Sequence, residues 1–164
     1  MRALAASILF ALSGAAAAVQ PGDPLPAVSA RELEAPAAPL ALGSFRGSVV
    51  YVDFWASWCV PCRVSMPALE RMYRKYRGLG LRVVGVNKDV AHADAERFLK
   101  RVAVSFPLVA DGDDAVARAF DVQAMPSGYL VDRRGVVRYV HRGFTDETAA
   151  ALAAEIEILL KEGG

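Results

Sequence analysis

Cysteine and histidine are both scarce in this 164-residue chain, at two of each. No second cysteine pair is available, and His92 and His141 stand alone at spacings unlike those of metal ligands, so a zinc site lacks partners. Both histidines read as surface residues, one on a helix and one on a strand, and neither is assigned a role. An excess of charge is missing as well. The chain has 19 Lys and Arg against 18 Asp and Glu, and setting Arg2 aside leaves 18 against 18. With no basic stripe or charge block, nucleic acid is not an expected partner. There is no internal repeat, and biased composition is confined to the alanine-rich N-terminus. The apolar run from Ala3 to Val19 falls short of the roughly 20 residues that a membrane-spanning helix needs.

The two cysteines lie three apart, in Val52-Asp53-Phe54-Trp55-Ala56-Ser57-Trp58-Cys59-Val60-Pro61-Cys62, between a β-rich apolar segment and a helical one. A thiol pair placed there is able to cycle between dithiol and disulfide. As a structural staple it would be weak: closing about four residues is worth roughly 2 kcal/mol, against about 3 for a fifteen-residue loop. Redox exchange is the reading that the arrangement favours, with staple and metal site as the lesser alternatives.

Residues 1–18 have the outline of a secretory signal: Arg2 as a minimal basic region, an apolar stretch from Leu4 to Leu12, and small residues Ala16-Ala17-Ala18 at a cleavage position. The alternative is an uncleaved N-terminal membrane anchor, which would tether the protein. Either way the expected location is exported. In an oxidising compartment a thiol pair stays reduced only if a partner supplies electrons.

Residues 19–46 are rich in Pro, Ala and Gly and read as an extended lead-in with room for a short N-terminal hairpin; the domain proper is expected over 47–164. Val49 to Phe54 is short, β-branched and almost wholly apolar, as a strand covered on both faces should be, and Asp53 breaks that pattern. Met66, Leu69, Tyr73 and Tyr76 recur at helical spacing until Gly78 and Gly80, with Pro67 inside as a source of a kink. Leu81 to Asn87 is a second buried strand and Ala91 to Val102 a second helix. An apolar piece at Phe106 to Val109 precedes a small helix at Ala115 to Phe120. Tyr129 to Val131 and Val136 to Val140 form a hairpin across Asp132-Arg133-Arg134-Gly135, and Thr145 caps a last helix carrying Ala149, Leu152, Ile156 and Leu159. The order β-α-β-α-β-α-β-β-α predicts an α/β fold, a central mixed sheet with helices on both faces.

Trp58-Cys59-Val60-Pro61-Cys62, with Asp53-Phe54-Trp55-Ala56 before it, resembles the thioredoxin superfamily. The longer pattern is similar to its TlpA/ResA/CcmG group of periplasmic thiol–disulfide proteins: an apolar N-terminus, an additional strand and helix between Asn87 and Phe120, and Met125-Pro126-Ser127 before Gly128-Tyr129-Leu130-Val131-Asp132. The similarity runs from about Pro21 to the C-terminus. It implies a thioredoxin-like three-layer α/β/α fold, no cofactor, and a cis Met125-Pro126 bond beside the thiol pair, where the Met125 backbone meets a substrate strand and Pro126 offers no donor.

With Cys59 at the start of the helix, unpaired amides and the helix dipole favour its thiolate over the free thiol, whose pKa is about 8.5. Cys59 is then the attacking cysteine and Cys62, more buried, the resolving one. Pro61 sets φ for the first turn. Asp53 is the candidate base for Cys62, with a pKa raised by burial; a hydrogen-bonded structural Asp is the alternative. Asp rather than Asn here is closer to thioredoxin than to many TlpA-like proteins. Trp58 borders the docking surface, Trp55 packs in the core, and Arg63 either favours the thiolate or is a solvated helix residue. ResA-like proteins typically carry Glu three residues after the second cysteine; here Ser65 stands there, so no role resting on that carboxylate carries over. The implied function is an exported reductase of protein disulfides, for example in cytochrome c maturation or metal-site assembly, recharged by a membrane electron donor. A disulfide-forming oxidase or isomerase, and a non-catalytic binding module, are the alternatives.

Overall fold

A computed structural model describes residues 18–33 and 39–162. Apart from Ala18, the secretory-signal segment lies outside the described residues. The elements in chain order are β1 (Ser29–Glu32), β2 (Pro39–Ala41), β3 (Val49–Trp55), α1 (Cys62–Tyr76), β4 (Leu81–Asn87), α2 (His92–Leu99), β5 (Leu108–Ala110), α3 (Ala115–Phe120), β6 (Ser127–Val131), β7 (Val137–Arg142) and α4 (Asp146–Lys161). They form one seven-stranded sheet of order β2-β1-β5-β4-β3-β6-β7. The β3–β4 and β4–β5 pairs are parallel and the others antiparallel, so the sheet is mixed, as the alternation of strands and helices predicts.

All seven residues of β3 are buried, because the strand lies inside the sheet with both faces covered. Its alternation divides the core in two. Val49, Tyr51 and Trp55 face a cluster filled by Met66 and Leu69 of α1, Phe98 of α2, and Leu152, Ile156 and Leu159 of α4. Val50, Val52 and Phe54 face the opposite cluster, with Val116 and Phe120 of α3 and Val19 and Leu42 of the lead-in. Each such side chain, fully buried, contributes roughly 1.5–3 kcal/mol. Asp53 shares the face of Tyr51 and Trp55, which is the face under α1.

Local signals act where expected. Thr145 accepts the Thr148 amide at 3.2 Å and starts α4. In the β6–β7 turn, Asp132 accepts from the amides of Arg134 and Val136, while Gly135 takes the left-handed φ of +84° that closes the turn. Helix α1 continues through Pro67, whose missing N–H forgoes one bond of the ladder. Buried Glu70 on α1 accepts from the Ser105 amide and hydroxyl at 2.8 Å each, fastening the segment between α2 and β5 to α1. Burial pushes the Glu70 carboxyl up, but the Ser105 and Arg74 hydrogen bonds outweigh it and hold the pKa below the ordinary value.

Candidate active site

Strands β3 and β4 are parallel and end side by side, with Trp55 opposite Asn87, so the loop after β3 emerges at the C-terminal edge of the sheet. At that edge Asp89 anchors the loop. Its carboxylate accepts from the Ser57 amide (3.0 Å to Oδ2), the Ser57 hydroxyl (2.9 Å to Oδ1) and the Asn87 side-chain amide (2.8 Å to Oδ2). Sequence reasoning missed this pair, whose signal was a polar Asn-Lys-Asp run directly after a buried parallel strand. Asp89→Ala leaves the Ser57 groups without their acceptor two residues before Cys59. It is expected to lower the unfolding free energy by about 2 kcal/mol in urea denaturation at unchanged m-value.

Beyond Ser57, Cys59 and Cys62 are joined as a disulfide with Cα atoms 5.3 Å apart. The first residue of α1 is Cys62, not Cys59, which corrects the expectation that Cys59 opens the helix. The residues between are wound more tightly than an α-helix: Cys62 N–H bonds to Cys59 C=O at 3.2 Å, Arg63 N–H to Val60 C=O at 3.1 Å and Val64 N–H to Pro61 C=O at 3.0 Å. Pro61, lacking an N–H, occupies the capping position with helical angles. Cys59 is nevertheless tied to the helix start, because its Sγ accepts the Cys62 amide at 3.3 Å, the i-to-i+3 geometry of a capping side chain. A thiolate at that position would keep this donor and feel the positive helix end.

Exposure is unequal. Cys62 is completely buried and Cys59 is 4% exposed. Around Cys59 stand large apolar side chains open to water, Trp58 at 63% and Val60 at 68%, with Val64 one turn into the helix similarly open. Trp55 by contrast is buried against Phe98, at 5.1 Å between ring centroids, in keeping with a packing role. Arg63 is exposed and lines a cleft of about 260 Å³ with Ser57, Arg97 and Arg101, giving the site one basic flank. Ser65 is buried, its hydroxyl 3.5 Å from the Cys62 carbonyl, so no carboxylate occupies that position on α1.

The Met125–Pro126 peptide is cis. Pairing of Ser127 with Phe54 sets Pro126 beside the end of β3, at the edge from which the thiol loop emerges. Met125 is half-buried and packs against both core clusters. Asp53 is 1% exposed, and Oδ2 has no hydrogen-bond partner among the described residues. Burial pushes its carboxyl well above the ordinary value. Asp53 thus lies in the same buried layer as Cys62.

His141 departs from the surface position expected of it. Its side chain is only 11% exposed, with Nε2 2.9 Å from Oε2 of Glu155 on α4 and the ring 6.1 Å from that of Tyr51. The outer strand β7 is covered on this face by α4, which the sequence pattern of β7 does not reveal. Among the described residues no cluster of His, Cys, Asp and Glu is arranged to hold a metal, and none of the helices is long and apolar enough to cross a membrane.

Known proteins resemble this chain in sequence and fold. The chain is 33% identical over 102 residues to the thiol-disulfide oxidoreductase ResA of Geobacillus kaustophilus, covering 62% of this chain and 59% of that protein. It is 31% identical over 109 residues to ResA of Bacillus subtilis, covering 66% and 61% respectively. The chain therefore spans about three fifths of the length of these curated relatives. A solved Chlorobium tepidum structure, assigned as thiol:disulfide interchange protein DsbE, is 37% identical with a TM-score of 0.82, covering 87% of this chain and 99% of that one. A Bacteroides thetaiotaomicron structure, assigned as a protein disulfide isomerase, is 30% identical with a TM-score of 0.79, covering 88% and 92%. These likenesses bear out the thioredoxin-like fold and the resemblance to the ResA-like group. Residues 20–156 match the Redoxin family, and since that stretch runs from the lead-in through every strand into α4, the chain belongs to the Redoxin family.

Proposed function

We propose that this protein is an exported thiol–disulfide oxidoreductase that reduces disulfides of other proteins through Cys59 and Cys62. The observation that carries the reading is the asymmetry of the pair. Cys59 is the less deeply buried of the two, at 4% exposure, with an amide donor on its Sγ and an open apolar collar, whereas Cys62 lies wholly within the core. In the reduced protein the Cys59 thiolate attacks one sulfur of a substrate disulfide, forming a mixed disulfide and expelling the other sulfur as a thiolate. Cys62 then loses its proton to Asp53 and attacks the Cys59 sulfur, releasing the second substrate thiolate. The protein ends as the disulfide, and the substrate has gained two electrons and, as its two thiolates are protonated from solvent, two protons. Trp58 borders the docked chain, the Met125 backbone pairs with it, Pro126 keeps that edge free of a competing donor, and Pro61 and Arg63 support the thiolate.

Regenerating the dithiol needs two electrons per cycle, which a membrane electron donor supplies in a periplasmic setting. Residues 1–18 as export signal or tether, 19–46 as lead-in and 47–164 as the thioredoxin-like domain belong to the same reading, as does service to cytochrome c maturation or metal-site assembly. The likeness to a structure assigned as a disulfide isomerase favours a second reading, in which the pair forms or reshuffles disulfides. Redox equilibration with glutathione separates the two. A potential near thioredoxin's, about −270 mV, is expected, and one near −120 mV would replace the reductase by an oxidase.

A further inference from the structure

Four buried side-chain polar atoms among the described residues have no hydrogen-bond partner, and three of them lie along one line. Asp53 on β3 pairs with Gly128 on β6, and Gly128 pairs with His141 on β7. Directly opposed residues point to the same face, so Asp53 and His141 flank Gly128 on the face covered by α1 and α4. Two inter-strand spacings, roughly 10 Å, separate Asp53 from His141, too far for direct transfer of a proton.

Tyr51 stands in this gap, although it makes no hydrogen bond to Asp53 Oδ2 or to His141 Nδ1 in the disulfide form. A Cβ at position 128 would lie 1.8 Å from the Tyr51 hydroxyl oxygen, so this hydroxyl occupies the space above Gly128, midway between the two side chains. Glycine inside a strand here marks a close approach, not a weak strand. The unpartnered atoms are Asp53 Oδ2, His141 Nδ1 and Glu155 Oε2; the last lies 2.9 Å from His141 Nε2 without hydrogen-bond alignment. The Glu155 side chain as a whole is 19% exposed, although the Oε2 that faces His141 is itself buried. The titratable groups that face Asp53 and Tyr51 are Cys62 from α1, His141 and Tyr139 from β7 and Glu155 from α4; β4 and β6 offer Gly85 and Gly128. Burial first, then the charges of Asp53 and Glu155, push the Tyr51 phenol up, which keeps it protonated and able to donate.

We propose that Tyr51, His141 and Glu155 form a proton path that connects Asp53 to solvent beneath the sheet's covered face. The inference rests on the thiol-exchange reading above, in which Asp53 takes the Cys62 proton. With the Tyr51 hydroxyl turned into contact with both neighbours, Asp53 passes that proton to the Tyr51 oxygen as the phenol gives its own to His141 Nδ1. His141 releases the proton on Nε2 to Glu155, which delivers it to water. Each group ends with as many protons as it began, no electrons move, and the reverse sequence serves the opposite direction of exchange.

A proton path changes rates without changing the equilibrium, and this distinguishes it from a structural role. In the full chain, Tyr51→Phe and Glu155→Gln are each expected to slow both reduction of a disulfide-bonded peptide and the reverse reaction about tenfold, by the same factor, in stopped-flow measurements across pH 6–9. The solvent deuterium isotope effect on the resolving step should fall in both variants, while the equilibrium constant with glutathione stays as in the parent. Unchanged rates in both variants, or a changed equilibrium constant with rates shifted in one direction only, would overturn the path. Absence of any exchange by the unsubstituted protein would instead overturn the underlying oxidoreductase reading.

Discussion

Cys62→Ser is expected to convert the protein into a trap that holds its partners as mixed disulfides on Cys59, while Cys59→Ser abolishes exchange by more than about a thousandfold. The asymmetry follows from geometry. Cys59 is the less buried of the pair and has an amide on Sγ and an apolar collar, so it meets the substrate first. A serine hydroxyl in its place is not ionised near neutral pH and cannot attack a disulfide, and Cys62 beneath it is out of reach. When Cys62 is the residue replaced, the first attack proceeds and the second has no nucleophile. Non-reducing gels and intact mass of adducts measure the outcome. Equal trapping by both variants would reverse or erase the assignment of attacking and resolving roles.

Asp53→Asn is expected to make the oxidised protein more stable and its reduced form slower. The carboxyl has a raised folded-state pKa, so the folded protein binds this proton more tightly than the unfolded chain. Stability is thus lost as pH rises from the unfolded value, about 3.9, through the folded one, and the penalty is complete above it. Asparagine removes the ionisation, so the variant and parent should coincide below about pH 3 and diverge upward, the variant being the more stable. Each tenfold difference in proton affinity is worth about 1.4 kcal/mol. Urea denaturation of both proteins over a pH series measures the divergence; a constant difference at every pH would deny that Asp53 is buried with a displaced pKa. In single-turnover kinetics the same variant should slow the resolving step, about a hundredfold, and leave the attack by Cys59 little changed.

Much of this was legible beforehand because it is local. The apolar run of β3, the helical spacing of Met66 and Leu69, the turn at Asp132 to Gly135 and the Thr145 cap are short-range patterns, and the two lone cysteines advertise their own chemistry. What was hidden depends on register between distant strands. Ser57 and Asp89 meet because β3 and β4 end together, 32 residues apart in sequence. His141 reads as a surface residue on an outer strand, yet α4 lies across it and supplies Glu155. Gly128 stands just before the strand expected at Tyr129 to Val131, and only the pairing of β3 with β6 reveals that Tyr51 requires its lack of a side chain. The helix start was displaced by three residues for a different reason: the turn through Val60 and Pro61 closes with tighter hydrogen bonds than an α-helix uses.

The first part of the lead-in, Gly22 to Leu25, meets the sheet far from the thiols. Gly22 and Leu25 bond to the carbonyls of Val137 and Gly135, and the 132–136 turn in turn sits against Gly47, just before β3 begins. The disulfide follows the other end of that strand, seven residues or roughly 23 Å away. Anything that held the protein by its front end would therefore grip it like a handle, with the reactive sulfur turned outward at the opposite pole and free to sweep past targets that differ in height and shape.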